Sequence, residues 1–351
     1  MTQKNTIVLH LCGGAGINVG DKVLSRVAEL GEGFANIEFN YIDTSKSNID
    51  KINKLGEFTQ IDAASFGKGQ IDGSGSVRSA HAKDIENGVK LYLDKNGFTK
   101  NVTGKFHVVV SSASGGSGST INPYIVNTLL SKNIPVMSVL VGDSTNGLSA
   151  GNTIKTLMSL DGIARKNVKP LTMMYVNNHK FENVGAQKAE DESNKILFNM
   201  FSALSLFMSS TNEALDYADI LGILDPSMYN SSLLAPVKPG LYGIFIHSGS
   251  IEFDQSMTPL IARSLSVQGV NYDTGLTLGH HKRGYIESEN VLNLYGDKLP
   301  LHLVLYANFF KEEVNTLNKI NTNYKNILEG IQSDELFSDV NKTVDDDGMV
   351  F

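Results

Sequence analysis

The chain alternates short, continuously apolar runs with segments of helical spacing. Thr6–Cys12 is an apolar run that ends in glycines, and a helical pattern follows over Asp21–Leu30. Ile37–Ile42 reads as a second strand, closed by Asp43-Thr44-Ser45. Ser79–Leu93 has helical spacing, Phe106–Val110 is a continuous apolar strand, and the loop Ser114–Thr120 follows it directly. The pattern then predicts a helix over Asn122–Ser131, a strand over Pro135–Val141, a helix over Asn152–Arg165 and a strand over Leu171–Val176. Strands that are apolar on both sides and alternate with helices predict a parallel sheet covered on both faces. Ligands of such sheets bind beyond the carboxyl ends of the strands. The glycine-rich loops named here follow strands, so they are expected to converge on one crevice.

Glu190–Ser209 predicts a long helix that becomes apolar nearly all round from Ile196 to Met208, as a helix buried between two units would be. Leu241–His247, Leu301–Tyr306 and the helix-patterned Thr258–Ser264 suggest a second α/β unit, and Phe309–Ile331 a long amphipathic helix. These breaks divide the chain into 1–187, a central helix over 188–210, a second α/β part over 211–308, and a C-terminal helix with tail over 309–351. That tail is acidic, and it ends in the apolar Met349-Val350-Phe351.

At 351 residues the chain exceeds the size at which one core usually stops growing. The formal net charge of −7 argues against a nucleic-acid surface, which needs clustered Lys and Arg. The single cysteine, Cys12, leaves no internal disulfide and fits a reducing cytoplasm. No apolar run approaches transmembrane length and the polar Met1–Asn5 is no signal peptide, so the expectation is a soluble, cytoplasmic protein without a membrane partner.

Four constellations carry candidate chemistry. Gly13-Gly14-Ala15-Gly16-Ile17-Asn18 lies between a strand and a helix, where glycines let backbone approach a phosphate and a helix start offers free N–H groups. Gly14-Ala15-Gly16 with Asp43 also reads as a loose dinucleotide fingerprint, which keeps an NAD-dependent Rossmann-type oxidoreductase as an alternative. Ser114-Gly115-Gly116-Ser117-Gly118-Ser119-Thr120, again between strand and helix, forms a nest of N–H donors and hydroxyls suited to a triphosphate and its metal. It is not a Walker A loop, since no Gly-Lys-Ser/Thr ends it. Ser65–Arg78 sets Lys68 and Arg78 among Gly67, Gly69, Gly73 and Gly75, a loop able to sense a terminal phosphate or simply to be solvated. Asp216 and Asp219 share one helical face and could polarise a water or contact a metal. His280-His281 lacks partners at metal-ligand spacing and reads as a surface pair.

In this order the loops resemble those of tubulin, FtsZ and TubZ. Gly13–Asn18 resembles the family's first phosphate loop, and Ser114–Thr120 its Gly-Gly-Gly-Thr-Gly-Ser-Gly signature. Asp216-Tyr217-Ala218-Asp219 is similar to its catalytic loop, and Asn194 falls where the family places a guanine-reading side chain. Gly73-Ser74-Gly75-Ser76-Val77-Arg78, Val141-Gly142-Asp143 and the tail Asp345-Asp346-Asp347-Gly348-Met349-Val350-Phe351 resemble the bacteriophage branch, PhuZ. Two departures stand out: Ser114 and Thr120 replace the outer glycines of the signature, and Ala214 replaces an asparagine ahead of the catalytic acids.

The resemblance implies an α/β, tubulin/FtsZ-like fold: a Rossmann-type GTP-binding domain, a central helix, a second α/β domain, and a C-terminal helix with acidic tail. It implies GTP/GDP with Mg2+, bound by the first loop with Asn18, by Asp43, Gly73, Gly75 and Arg78, by Ser114–Ser119 and by Asn194, with no metal held by protein ligands alone. It implies self-association into head-to-tail filaments, with Asp219 and Asp216 acting on the next subunit's γ-phosphate. Asp345, Asp346, Asp347, Met349 and Phe351 would form a polymer contact. Positioning phage DNA in the host cell cytoplasm is the role so implied, with no direct nucleic-acid contact. A filament protein that binds nucleotide without hydrolysing it is the remaining alternative.

Overall fold

The computed structural model describes residues 5–28, 35–48, 56–61, 78, 82–178, 185–209, 221–222, 224–225, 238–248, 259–265, 301–306 and 309–333. β1, β4, β5 and β6 each lead into a helix. β1 (Thr6–Cys12) runs without a break into α1 (Gly13–Val19), a π turn (Gly20–Leu24) and α2 (Ser25–Ala28). β2 (Asn36–Asp43), β3 (Glu57–Gln60) and α3 (Ala82–Lys95) follow. Then come β4 (Lys105–Ser112), α4 (Ser117–Ser131), β5 (Val136–Gly142), α5 (Gly147–Lys166), β6 (Pro170–Asn177) and α6 (Ala186–Ser209). β7 (Gly240–Ser248), β8 (Pro259–Leu265), β9 (Leu301–Tyr306) and α7 (Phe309–Ser333) complete the described elements.

The strands form one sheet in the order β3-β2-β1-β4-β5-β6-β7-β9-β8. Pairing is parallel from β3 to β7 and antiparallel between β7 and β9 and between β9 and β8. Alternate residues of β1 feed two separate cores, as the apolar-on-both-faces pattern requires. Ile7, Leu9 and Leu11 join Phe201 and Leu204 of α6, whereas Val8 and Cys12 join Val89 of α3, Ile125 of α4 and Leu157 of α5. The central helix therefore covers one face of the sheet together with α1, the π turn and α2, and α3, α4, α5 and α7 cover the other. The C-terminal end of α6 also ties down neighbouring chain: Asn5 Nδ2 donates to the Met208 carbonyl at 2.7 Å, and Ala35 N–H donates to the Ser205 carbonyl at 3.1 Å.

Three expectations change. The segment read as helical over Thr258–Ser264 is the edge strand β8, antiparallel to β9. Pairing to β9 overrides its short helical spacing, and Pro259 sits at the first residue of an edge strand, where a missing N–H is tolerated. The strands expected in a second unit hydrogen-bond onto β6 through β7, so they extend the same sheet. Helices also start earlier than the apolar periodicity suggests, at Gly13 and Ser117, because their first turns are made of glycine and serine.

Candidate functional site

Moving outward from β1, chain order runs to β2 and β3 on one side and to β4, β5 and β6 on the other. The reversal falls between β1 and β4, and crevices in open α/β sheets form at such switch points. Cys12, the last residue of β1, lies opposite Ser111, the second-last of β4. The loops that follow these two strands are the two glycine-rich motifs.

Their backbones interlock. Gly13 has φ +68°, and a side chain there would meet Gly118 N at 2.7 Å; one on Gly118 would meet the Cys12 carbonyl oxygen at 2.6 Å. A third contact of this kind holds α1 down, since a Cβ on Gly16 would lie 2.5 Å from the Val110 carbonyl oxygen. α1 starts at Gly13 and α4 at Ser117, and neither has a side-chain cap. Two helix starts thus present their first N–H groups and positive dipole ends side by side, an arrangement that favours an anion.

The serines and threonines around the second loop shape it. Ser112 Oγ accepts from Ser114 N at 3.1 Å and Gly115 N at 3.2 Å, while Asn152 of α5 donates to the Ser114 carbonyl at 3.0 Å. Ser119 Oγ donates to the Gly116 carbonyl at 3.0 Å, and Thr120 Oγ1 to the same carbonyl at 2.9 Å. The Ser119 hydroxyl is committed to the loop's own backbone, so what Ser119 offers a ligand is its N–H, while Thr120 shares its one hydroxyl proton between the Gly116 and Arg78 carbonyls. Ser117 Oγ and Thr44 Oγ1 lie 2.7 Å apart, which brings the loop after β2 into the same site.

Asp43 stands at that site and is bonded within its own turn. It is 1% exposed, and its carboxylate accepts from Thr44 N at 2.7 Å and Asn48 Nδ2 at 2.8 Å. The carboxylate therefore organises the turn that holds Thr44. Beside it, burial and the Asp43 charge push the Cys12 thiol well above its ordinary value, so Cys12 packs as a neutral thiol.

Arg78 also serves the scaffold. Pro123 lies inside α4 and has no N–H for the Ser119 carbonyl four residues earlier. Arg78 Nη2 donates to that carbonyl at 3.2 Å and to Ser159 Oγ of α5 at 3.3 Å. Burial lowers the arginine's affinity for its proton. In return Thr120 Oγ1 donates to the Arg78 carbonyl at 3.0 Å.

Next to α1 lies a cavity of about 190 Å³, lined by Ala15, Asn18, Val19 and Lys22 from α1 and the π turn, Val141 from β5, Asn178, and Glu190, Ser193, Asn194 and Leu197 from α6. Asn18 and Asn194, singled out from the sequence, are brought together here. Val19, Val141 and Leu197 give it apolar walls, and Lys22 pairs with Glu190 across it at 2.9 Å. Apolar walls with a few amides suit a flat heterocycle.

Gly73, Gly75, Asp216, Asp219 and the tail residues Asp345, Asp346, Asp347, Met349 and Phe351 lie outside the described residues. Sequence reading missed Ser112, Asn152 and Asn178. Each is a single polar residue whose importance rests on what a distant strand or helix brings to it.

No family model matches the chain. It is 28% identical over 225 residues to a phage tubulin-like protein of Pseudomonas phage phiKZ, and the match covers 63% of this chain and 63% of that one. The PhuZ201 filament subunit superposes with a TM-score of 0.68 at 19% identity, over 98% of this chain and 99% of the other. The chain has a tubulin/FtsZ-like fold, and its sequence is similar to phage tubulin-like proteins. A phage tubulin PhuZ solved with GDP is similar at TM-score 0.63 and 21% identity, over 98% of this chain and 99% of that one. An FtsZ from M. jannaschii shares the tubulin/FtsZ-like fold at TM-score 0.55 and 14% identity, over 86% and 91% of the two chains.

Proposed function

We propose that this tubulin/FtsZ-like chain binds a guanine nucleotide in the β1–β4 crevice, hydrolyses GTP and polymerises head-to-tail into a cytoskeletal filament. The observation that carries the reading is the interlock of Gly13 with Gly118, which sets two uncapped helix starts side by side next to a heterocycle-sized cavity. Phosphates would sit against the N–H groups of the two helix starts, and the base between Val19, Val141 and Leu197. The phage relatives named as tubulin-like, and the PhuZ structure with GDP, support the same ligand.

Among the described residues no group of three or more His, Cys, Asp or Glu side chains could hold a metal ion. A Mg2+ would therefore fit as part of a metal–triphosphate complex, held mainly by phosphate oxygens and water, where it would neutralise charge on the transferring phosphoryl group. The chain's own groups do the remaining work. The loop N–H groups hold the phosphates, Ser112 and Asn152 keep those groups aimed, and Asp219 with Asp216 would orient the attacking water from the adjoining subunit. A site completed by a neighbour is a heterologous contact, which builds filaments when it does not close. In the host cytoplasm such a filament would position phage DNA.

Phosphate release from GTP should rise steeply with protein concentration, and the Asp219→Ala variant should assemble while releasing almost no phosphate. A rate per molecule that stays flat on dilution would sink the proposal.

A further inference from the structure

A second cavity, of about 520 Å³, lies toward the other end of the strands from the crevice. Thr6 and Asn36, the first residues of β1 and β2, are part of its lining. At about 3.3 Å per residue, Thr6 stands about 20 Å from Cys12 and the glycine loops. Ile37 and Phe39 of β2 turn to the α6 core, so Glu38 and Asn40 between and beyond them face the α3 side. The register sets Asn40 beside Glu57 of β3, and the turn after α3 adds Asn96 and Phe98.

These side chains present mainly acceptors. Asn40 is 5% exposed, and its Nδ2 donates to the Leu9 carbonyl at 3.3 Å, which leaves its Oδ1 without a partner. Asn96 Nδ2 donates to the Tyr92 carbonyl at 2.9 Å, and its oxygen is left in the same state. A backbone carbonyl only accepts, so neither amide can turn round without losing its bond. The charges are unequal in their pairing. Glu38 Oε2 holds the Lys105 ammonium at 2.8 Å, whereas Glu57 has no ion-pair partner. Phe98 adds an aromatic surface, backed edge-on by His10 at 5.0 Å between ring centres. Burial above all, with the charges of Glu38 and Glu57 among the lesser causes, raises the hydroxyl of Tyr92 beside Phe98 well above 10, so both carboxylates act on this side of the sheet.

One unmatched carboxylate and two uncommitted amide oxygens complement an ammonium group, which carries one positive charge and three N–H donors. We propose that this cavity binds a small primary amine, with its ammonium group held by the Glu57 carboxylate and the amide oxygens of Asn40 and Asn96, and its aliphatic stem along Phe98. The site is separate from the crevice, so nucleotide and amine bind without competing.

Calorimetric titration of the full-length chain with n-hexylammonium tests it. Two relatives of the probe serve as controls: hexyltrimethylammonium keeps the charge and stem without N–H donors, and hexanol keeps the stem alone. Hexylammonium should bind once per chain, about tenfold or more tighter than either control, the scale of charge-assisted hydrogen bonds. Glu57 is exposed on an edge strand, so its variants should fold. Glu57→Gln should weaken hexylammonium about threefold, as loss of an exposed charge does, and Glu57→Lys should abolish binding. Asn96→Leu should narrow the gap between hexylammonium and its trimethyl analogue. Saturating GDP should change nothing. Absence of saturable binding, equal affinity for hexylammonium and the trimethyl analogue, or unchanged binding to Glu57→Lys would each overturn the proposal. So would displacement by GDP, which would put the amine in the crevice, or loss of binding on deleting 345–351, which would put it on the acidic tail.

Discussion

Gly13 and Gly118 meet with no room for a side chain on either, and that contact decides how two loops become one site. A Cβ on Gly118 would stand 2.6 Å from a backbone oxygen, which has no flexible end to yield. Gly118→Ala should therefore separate β1 from α4, lowering stability by about 1–3 kcal/mol and nucleotide affinity by more than the stability loss alone would explain. Urea denaturation alongside GDP titration measures both, and an unchanged affinity would count against the phosphate assignment. Gly115, next to the same loop, has only the Ser112 side chain at 3.8 Å and should tolerate alanine far better.

A second residue-scale feature is the buried pair His10 and His107. Their rings are stacked at 5.2 Å, with His10 Nε2 2.9 Å from His107 Nδ1 and His10 Nδ1 2.7 Å from the Tyr92 hydroxyl. Burial, then the nearby His107, holds His10 well below 6.5; burial, then Lys105, brings His107 down to about 4. The unfolded chain binds these protons first, so stability should fall as pH drops below about 6.5, with the part due to His107 levelling off near 4. A His107→Asn variant, compared with wild type in urea midpoints across that range, should show a shallower slope.

At the scale of elements, α4 carries its own defect and its repair. Pro123 leaves the Ser119 carbonyl without its helical partner, and Arg78 supplies one. Arg78→Ala should cost about 1–3 kcal/mol through that orphaned acceptor. In a Pro123→Ala background the helix recovers an N–H for Ser119, so the same substitution should cost clearly less; a double-mutant cycle reads the difference. Equal costs in both backgrounds would mean that Arg78 acts elsewhere.

The same helix shows how far the sequence was legible. The apolar runs of β1, β4, β5 and β6 and the two glycine loops were readable because their signals are local. β3 was not, since Glu57-Phe58-Thr59-Gln60 has a single apolar residue and exists by pairing with β2. The scaffold bonds of Arg78 and Asp43 were not legible, because nothing local says that a proline forty-five residues on leaves a carbonyl for one, or that an asparagine in the next turn will bind the other. Asn178 was invisible for the same reason: Ser193, its hydrogen-bond partner, arrives on a different element.

For the whole molecule, the described helices α1, α2 and α6 cover one face of the sheet and α3, α4, α5 and α7 the other, and the crevice lies at the strand ends. α7 reaches toward it: the Tyr324 hydroxyl donates to the Thr145 carbonyl at 2.7 Å, in the turn just after β5. The acidic tail follows that helix in the chain. Deleting 345–351 should raise the critical concentration for assembly measured by light scattering in GTP, since three acids and an apolar tip suit a basic groove on a neighbour. Assembly at an unchanged threshold would reduce the tail to a solvated end.

The Gly13–Gly118 contact also has a consequence for synthesis. Residue 13 leaves the ribosome long before residue 118, and closing so long a loop is slow compared with forming local turns. Until β4 and the start of α4 have emerged, Gly13 and Gly16 lack the backbone they pack against. On the proposed reading, nucleotide would therefore give a nascent chain little help in its first hundred residues, and its stabilising pull would begin only once the strand that reverses the sheet order is in place.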